Sequence, residues 1–269
     1  MRNADRAARL GGRLLLRFED TDPARCRPEY QAAILHDLDW LGVAHEPAPR
    51  RQSEHVADYA AAFGKLQERG LVYPCYCTRG QIARVSGERD PDGAALHRGP
   101  CVAVTPAQTR ARLARGEAAN WRLDLARALA HAPPSLAWEE FYEADAPTSV
   151  AAEPQRWGDI LIAAKDRPAV YHLAVAVDDS LQGVTDVVRG RDLFPSTSLH
   201  RLLQTLLDLP APRYRHHRLV VDAQGAKLSK SAKSESLRAL RQQGYSAADI
   251  SGALGFGAST QGKLAVAFS

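Results

Sequence analysis

A chain of 269 residues with 45% apolar content can bury a sizeable core, in one large domain or two modest ones, and its composition is that of an ordinary globular protein. The net charge of +4, from 35 Lys and Arg against 31 Asp and Glu, is compatible with a polyanionic partner but excludes the concentrated basicity of a dedicated nucleic-acid module. No run of about 18 apolar residues occurs, and residues 1–30 hold no apolar stretch ending at a small-residue cleavage site, so no membrane span or secretory signal is expected and the cytoplasm is the expected compartment.

In chain order, Leu14 to Phe18 is short, apolar and preceded by Gly11-Gly12, which predicts a buried strand running into the acidic turn Glu19-Asp20-Thr21-Asp22-Pro23. After Pro28, the positions Ile34, Leu38 and Leu41 fall at helical spacing and Gly42 supplies a stop. A second helix is predicted from an N-cap at Ser53, with Glu54 in its first turn and Val56, Tyr59, Phe63 and Leu66 inward, ending at Gly70. The stretch from about 72 to 151 changes character, mixing cysteines, a Gly- and Pro-rich Ser86 to Pro100, a helix around Pro106 to Arg115 and an irregular Pro133-Pro134 region. It reads as an insertion. Alternating patterns then resume, with strands predicted at Asp159 to Ile162, Tyr171 to Val177 and Val184 to Val188 and a helix over Thr197 to Leu207, the order of an α/β fold. A last strand, Leu219 to Val221, leads through a Gly-containing turn to Lys227-Leu228-Ser229-Lys230-Ser231, and residues 255–269 show no period.

That lysine loop places cations and hydroxyls on a surface segment after a strand, where phosphate is the natural ligand. Attack on the α-phosphate of ATP builds negative charge that a positioned ammonium stabilises beyond the ground state. Lys230 is the candidate for that role, assisted by Lys227, with Ser229 also on ATP; a solvated basic turn is the plain alternative. Four cysteines without a signal peptide do not form a disulfide framework in a chain of this size. Cys75, Cys77, His97 and Cys101 instead offer three thiolates and an imidazole, a donor set suited to a closed tetrahedral zinc site, or else to reduced, buried thiols. Cys26 lies apart.

Three ordered segments carry a resemblance. Lys227 to Ser231 is similar to the Lys-Met-Ser-Lys-Ser signature of class I aminoacyl-tRNA synthetases. Phe18 to Asp22 is similar to the acidic turn of the glutamyl and glutaminyl members, and Tyr171 to Asp179 with Gln182 to Gly190 resembles the same subfamily. The resemblance implies that Glu19, Tyr171 and Arg189 contact the glutamate substrate. The residue types agree, since Glu19 can pair with an α-ammonium, Tyr171 can donate a hydrogen bond and Arg189 can grip a carboxylate bidentately. Each also has a bland role, as a helix cap, a core aromatic or a surface ion pair respectively.

Within the family the cysteine stretch, with His97 where a tyrosine is usual, and Val175, where many glutamyl-tRNA synthetases have asparagine, resemble the glutamyl-queuosine tRNA(Asp) synthetases. Only 38 residues, 232–269, follow Ser231, which leaves no room for the large anticodon-binding region of the full glutamyl enzymes. The resemblance thus implies a Rossmann-like α/β catalytic domain, N-terminally truncated, with a small zinc-binding insertion. The expected segments are 1–71 and 152–210 for the catalytic domain, 72–151 for the insertion and 211–269 for the lysine loop and tail. The implied activity is ATP-dependent activation of glutamate, with Mg2+ on the phosphates, and transfer of the glutamyl group to queuosine of tRNA(Asp). ATP, L-glutamate and tRNA are the expected partners of a cytoplasmic monomer. A truncated glutamate–tRNA ligase acting on tRNA(Glu), an inactive tRNA-binding remnant and an unrelated zinc-stabilised nucleotide-binding protein are the alternatives. The Pro-Ser-Pro-Thr-Gly and His-x-Gly-His-like segments that open the family's ATP site are not found before Gly12, so low activity or stability of the chain by itself is expected.

Overall fold

The computed structural model describes residues 1–22, 26–99, 101, 104–142, 146–167, 169–221, 236–256 and 267–268. Helix α1 (Arg2–Arg9) leads to β1 (Arg17–Phe18), α2 (Pro28–Trp40), β2 (Arg50–Arg51), a 3-10 turn at Gln52–Glu54, and α3 (Val56–Glu68). Strand β3 (Val72–Cys75) is followed by α4 (Arg79–Val85), α5 (Pro106–Ala114), β4 (Asn120–Leu123), α6 (Leu125–Ala130), β5 (Ala137–Glu140), β6 (Thr148–Ala151) and β7 (Leu161–Ala163). The chain continues through α7 (Tyr171–Leu181), β8 (Asp186–Gly190), α8 (Thr197–Leu206), β9 (Arg213–His217), β10 (Val220–Val221), α9 (Leu237–Gln242), α10 (Ala247–Ala253) and β11 (Ala267–Phe268).

These elements form two compact units, the first holding residues 1–51, 188–192 and 216–269, the second holding 52–187 and 193–215. Residues 72–151 therefore fall wholly inside the second unit.

In the first unit, β1 and β2 pair in parallel, Arg17 against Arg50 and Phe18 against Arg51. The predicted strand from Leu14 is shorter than expected, although the Leu14 and Leu16 carbonyls accept hydrogen bonds from the amides of Glu46 and Arg50, at 3.0 and 3.1 Å. Helix α2 begins with Pro28 at its first turn, where the missing N–H costs nothing, and ends before Gly42, whose φ of +67° suits glycine alone. None of its side chains is buried, and Ile34 is 45% exposed, so its apolar spacing does not mark a core face in this unit. Arg241 of α9 ties to α2 through Asp37, at 3.2 Å, and lies over the Trp40 ring. Strand β10 pairs antiparallel with β11, an element that the unpatterned tail did not announce.

The second unit holds the main core, in which Tyr59, Leu66, Leu123, Ile162, Leu173, Leu199 and Leu203 are sealed from solvent. Helix α3 begins later than predicted: Ser53 and Glu54 lie in the 3-10 turn, and His55 occupies the N-cap. The larger correction is α7. Tyr171 to Val177, expected as a strand, is helical: Leu173 to Asp179 are all buried, so the apolar run Leu173 to Val177 faces every side and carries no 3.6-residue period. Three antiparallel strands, in the order β3-β4-β7, and a mixed sheet, in the order β6-β5-β9-β8, frame the core. The β5–β9 pairing is parallel, and strands β8 and β9 begin in the second unit and end in the first.

Candidate functional site

Cys75, Cys77 and His97 converge, while Cys101, the fourth expected ligand, lies against Cys77 but outside that group of three. Strand β3 delivers Cys75 at its end, Cys77 follows just before α4, and Thr78 caps that helix through a reciprocal pair of bonds with Gln81, fixing the direction in which the chain leaves the Cys-Tyr-Cys turn. The ligand atoms of Cys75, Cys77 and His97 all lie within 4.8 Å of one another and all three residues are buried. The Cys75 Sγ is 3.5 Å from His97 Nε2, and the Cys77 Sγ is 3.4 Å from that of Cys101, which accepts a hydrogen bond from the Tyr76 amide at 3.2 Å. Two ligands on one tetrahedral ion with bonds of about 2.0–2.3 Å sit roughly 3.3–3.8 Å apart, and the 3.5 and 3.4 Å pairs fall in that range.

Behind the cluster lies a support that sequence reasoning did not find. The Tyr73 hydroxyl is 3.0 Å from His97 Nδ1, 2.8 Å from Asp159 Oδ2 and 2.6 Å from the Gly99 carbonyl. Its single hydrogen goes to one of these acceptors, and His97 Nδ1–H can then donate to the phenol oxygen, which leaves the Nε2 lone pair facing Cys75. Asp159 is itself held by the amides of Gly99, at 2.7 Å, and Leu125, at 2.9 Å. The only warning in the sequence was a carboxylate at the head of an apolar strand, which is costly unless paired.

The electrostatics follow from this packing. Burial pushes the Asp159 carboxyl up, but the His97 ring 3.9 Å away and hydrogen bonds from Leu125, Tyr73 and Gly99 outweigh it and hold the group below the ordinary aspartate value. Burial alone would lower His97, yet the Asp159 carboxylate 3.9 Å away and the contact with Cys75 raise it. Cys75 is also pushed up by burial and then brought down to about 6 by hydrogen bonds from His97, the Cys77 backbone and Arg122. Tyr73 is raised by burial and by the neighbouring Asp159 charge, so it stays a neutral phenol. A thiolate and a neutral imidazole are the forms a metal ion takes up.

Of the residues expected to bind glutamate, Glu19 and Arg189 lie in the first unit and Tyr171 in the second. The Glu19 side chain is 46% exposed and faces Arg17 at 3.9 Å, while neighbouring Asp20 accepts from Gln31, at 3.1 Å, which in turn accepts from Arg51, at 3.0 Å. Tyr171 opens α7 and meets the rings of His172 and His200 edge-on, with centroids 5.3 and 5.8 Å apart, and those two imidazoles approach to 3.2 Å. Arg189, on β8, donates from Nε to His216 Nε2 at 3.0 Å. Lys227, Ser229 and Lys230 lie outside the described residues. Among the described residues no helix is long and apolar enough to cross a membrane.

Comparison with known proteins places these features. The chain is 38% identical to the glutamyl-Q tRNA(Asp) synthetase of Rhodobacter capsulatus, over 91% of this chain and 89% of that protein. It is 36% identical to glutamate–tRNA ligase 2 of Nitrosococcus oceani, over 90% of this chain but 52% of that one. The glutamate–tRNA synthetase structure from Elizabethkingia anophelis matches with a TM-score of 0.70 at 22% identity, over 91% of this chain and 54% of that chain, which shows a shared fold. The chain thus spans about half the length of these glutamate–tRNA enzymes. The family described as tRNA synthetases class I (E and Q), catalytic domain, matches residues 3–266, and the chain belongs to that family.

Proposed function

We propose that this chain activates glutamate with ATP and passes the glutamyl group to queuosine of tRNA(Asp). The observation that carries this is the 38% identity to a glutamyl-Q tRNA(Asp) synthetase across nearly the full length of both chains. The similarity to glutamate–tRNA ligases keeps transfer to tRNA(Glu) as the second reading.

In the proposed reaction, Glu19 pairs with the α-ammonium of glutamate, Tyr171 donates a hydrogen bond to it and Arg189 grips a carboxylate. A glutamate carboxylate oxygen attacks the α-phosphorus of ATP and pyrophosphate leaves, giving glutamyl-adenylate. Lys230 and Lys227 stabilise the charge that develops, Ser229 contributes to ATP binding, and Mg2+ screens the phosphates. A nucleophile on queuosine then attacks the glutamyl carbonyl and AMP departs. Residues 72–151 act as an insertion in which Cys75, Cys77, His97 and Cys101 hold a structural zinc, whose part is to stiffen the fold. The protein works as a cytoplasmic monomer.

Glutamate-dependent exchange of labelled pyrophosphate into ATP tests the first half-reaction. Exchange with L-glutamate and not with L-glutamine or L-aspartate is expected; a chain that folds and exchanges with none of them contradicts the proposal.

A further inference from the structure

We infer that His216 is a positioning residue for Arg189, fixing the direction in which its guanidinium meets the substrate carboxylate. The inference deepens the proposed function and rests on Arg189 being a glutamate ligand. Both residues lie in the first unit, on neighbouring strands β8 and β9. Arg189 Nε donates to His216 Nε2 at 3.0 Å, with both side chains partly buried. A ring nitrogen that accepts a hydrogen bond carries a lone pair, so His216 is held without a proton on Nε2 and adds no positive charge beside the arginine.

The choice of donor has a consequence for recognition. A guanidinium can take a carboxylate side-on, through Nε and one terminal nitrogen, or end-on, through its two terminal nitrogens. With Nε committed to His216, the side-on mode is closed and the carboxylate must be taken end-on. The corner after Arg189 is crowded by side chains: a Cβ on Gly190 would lie 2.4 Å from Asp192 Oδ1 and 2.9 Å from Leu219 Cδ2. Holding a long, flexible side chain in one rotamer before substrate arrives removes an ordering cost that binding would otherwise bear.

Calorimetric titration of glutamate and of ATP into wild type, His216→Leu, His216→Gln and Arg189→Gln tests this, since it needs no turnover. Glutamine can present an oxygen acceptor near the position of the histidine Nε2. We expect His216→Leu to weaken glutamate about tenfold with ATP affinity unchanged, and His216→Gln to recover most of the loss. Equal glutamate affinity in His216→Leu and wild type overturns the inference, as does a His216→Gln variant as weak as His216→Leu, or a loss of glutamate and ATP affinity together. If Arg189→Gln binds glutamate like wild type, the role of Arg189 fails, and the inference falls with it for a separately visible reason.

Discussion

Asp159 holds His97 through an intervening phenol: the Tyr73 hydroxyl lies 2.8 Å from the carboxylate and 3.0 Å from the ring nitrogen, while carboxylate and ring are themselves 3.9 Å apart. Ligand histidines on metal ions commonly have their second nitrogen fixed by an outer partner of this kind, and loss of the partner weakens the metal about 10- to 100-fold. Asp159→Asn is therefore expected to lose zinc to a competing chelator at about 10- to 100-fold lower chelator concentration than wild type. Metal content by mass spectrometry across a chelator series checks this, and a variant that retains metal like wild type would remove Asp159 from the account.

Gly158 packs against the His97 backbone, with φ at +67°, and a Cβ there would stand 2.6 Å from the His97 carbonyl oxygen. Gly183 has a similar φ, +62°, with nothing within 4 Å of the added atom. Alanine at 183 bears only the left-handed backbone penalty, about 1–2 kcal/mol. Alanine at 158 must also displace the His97 backbone, so its loss should exceed that of the 183 variant by at least about 1 kcal/mol, and it should release metal more readily. Thermal melts of both variants, with and without zinc, make the comparison.

Metal binding should tighten as pH rises. Without metal, Cys75 loses its proton near pH 6 and His97 keeps its proton above the ordinary histidine value of 6.5. A metal ion must displace both protons, so affinity is expected to climb from pH 5 through 6 as the thiolate forms, and to go on climbing above 6.5 until His97 is neutral. The metal-free fold behaves differently. Its stabilisation from the charged His97 is complete below pH 6.5 and fades as pH rises through the raised value. That from Asp159 is complete above the ordinary aspartate value of 3.8 and fades on further acidification. Chelator competition and melting curves between pH 5 and 9 separate the two trends.

Asp178 on α7 has no exposed surface and accepts from Gln52 Nε2, at 2.9 Å, and from the Tyr59 hydroxyl, at 2.9 and 3.0 Å. Its removal takes this acceptor from two buried donors, so Asp178→Ala is expected to cost about 2–6 kcal/mol, roughly 1–3 for each donor, whereas Tyr59→Phe, which deletes one of the two donors, should cost about 0.5–1.5 kcal/mol. Denaturant unfolding gives both numbers, and equal, small losses would contradict the network.

The parts of the molecule legible in the sequence were those in which chemistry or punctuation is local. Cys75, Cys77, His97 and Cys101 suggested a shared site by residue type alone, and the fold brings the ligand atoms of the first three within 4.8 Å of one another, while Pro28 and Gly42 marked the ends of α2 through backbone preferences that need no tertiary partner. Helix α7 was misread because burial on all sides erases the period that distinguishes helix from strand. Asp159, Tyr73 and His216 were missed because their partners lie 62, 24 and 27 residues away along the chain, at His97, His97 and Arg189. Pairing at that range is set by which strands become neighbours, and no spacing encodes it.

Transfer of labelled glutamate to tRNA tests the central claim most directly. With ATP present, tRNA(Asp) that contains queuosine should be labelled, while tRNA(Asp) lacking queuosine and tRNA(Glu) should not, and the label should survive periodate treatment of the tRNA 3′ end before the reaction. Labelling of tRNA(Glu) that periodate abolishes, with none on queuosine-containing tRNA(Asp), would contradict it.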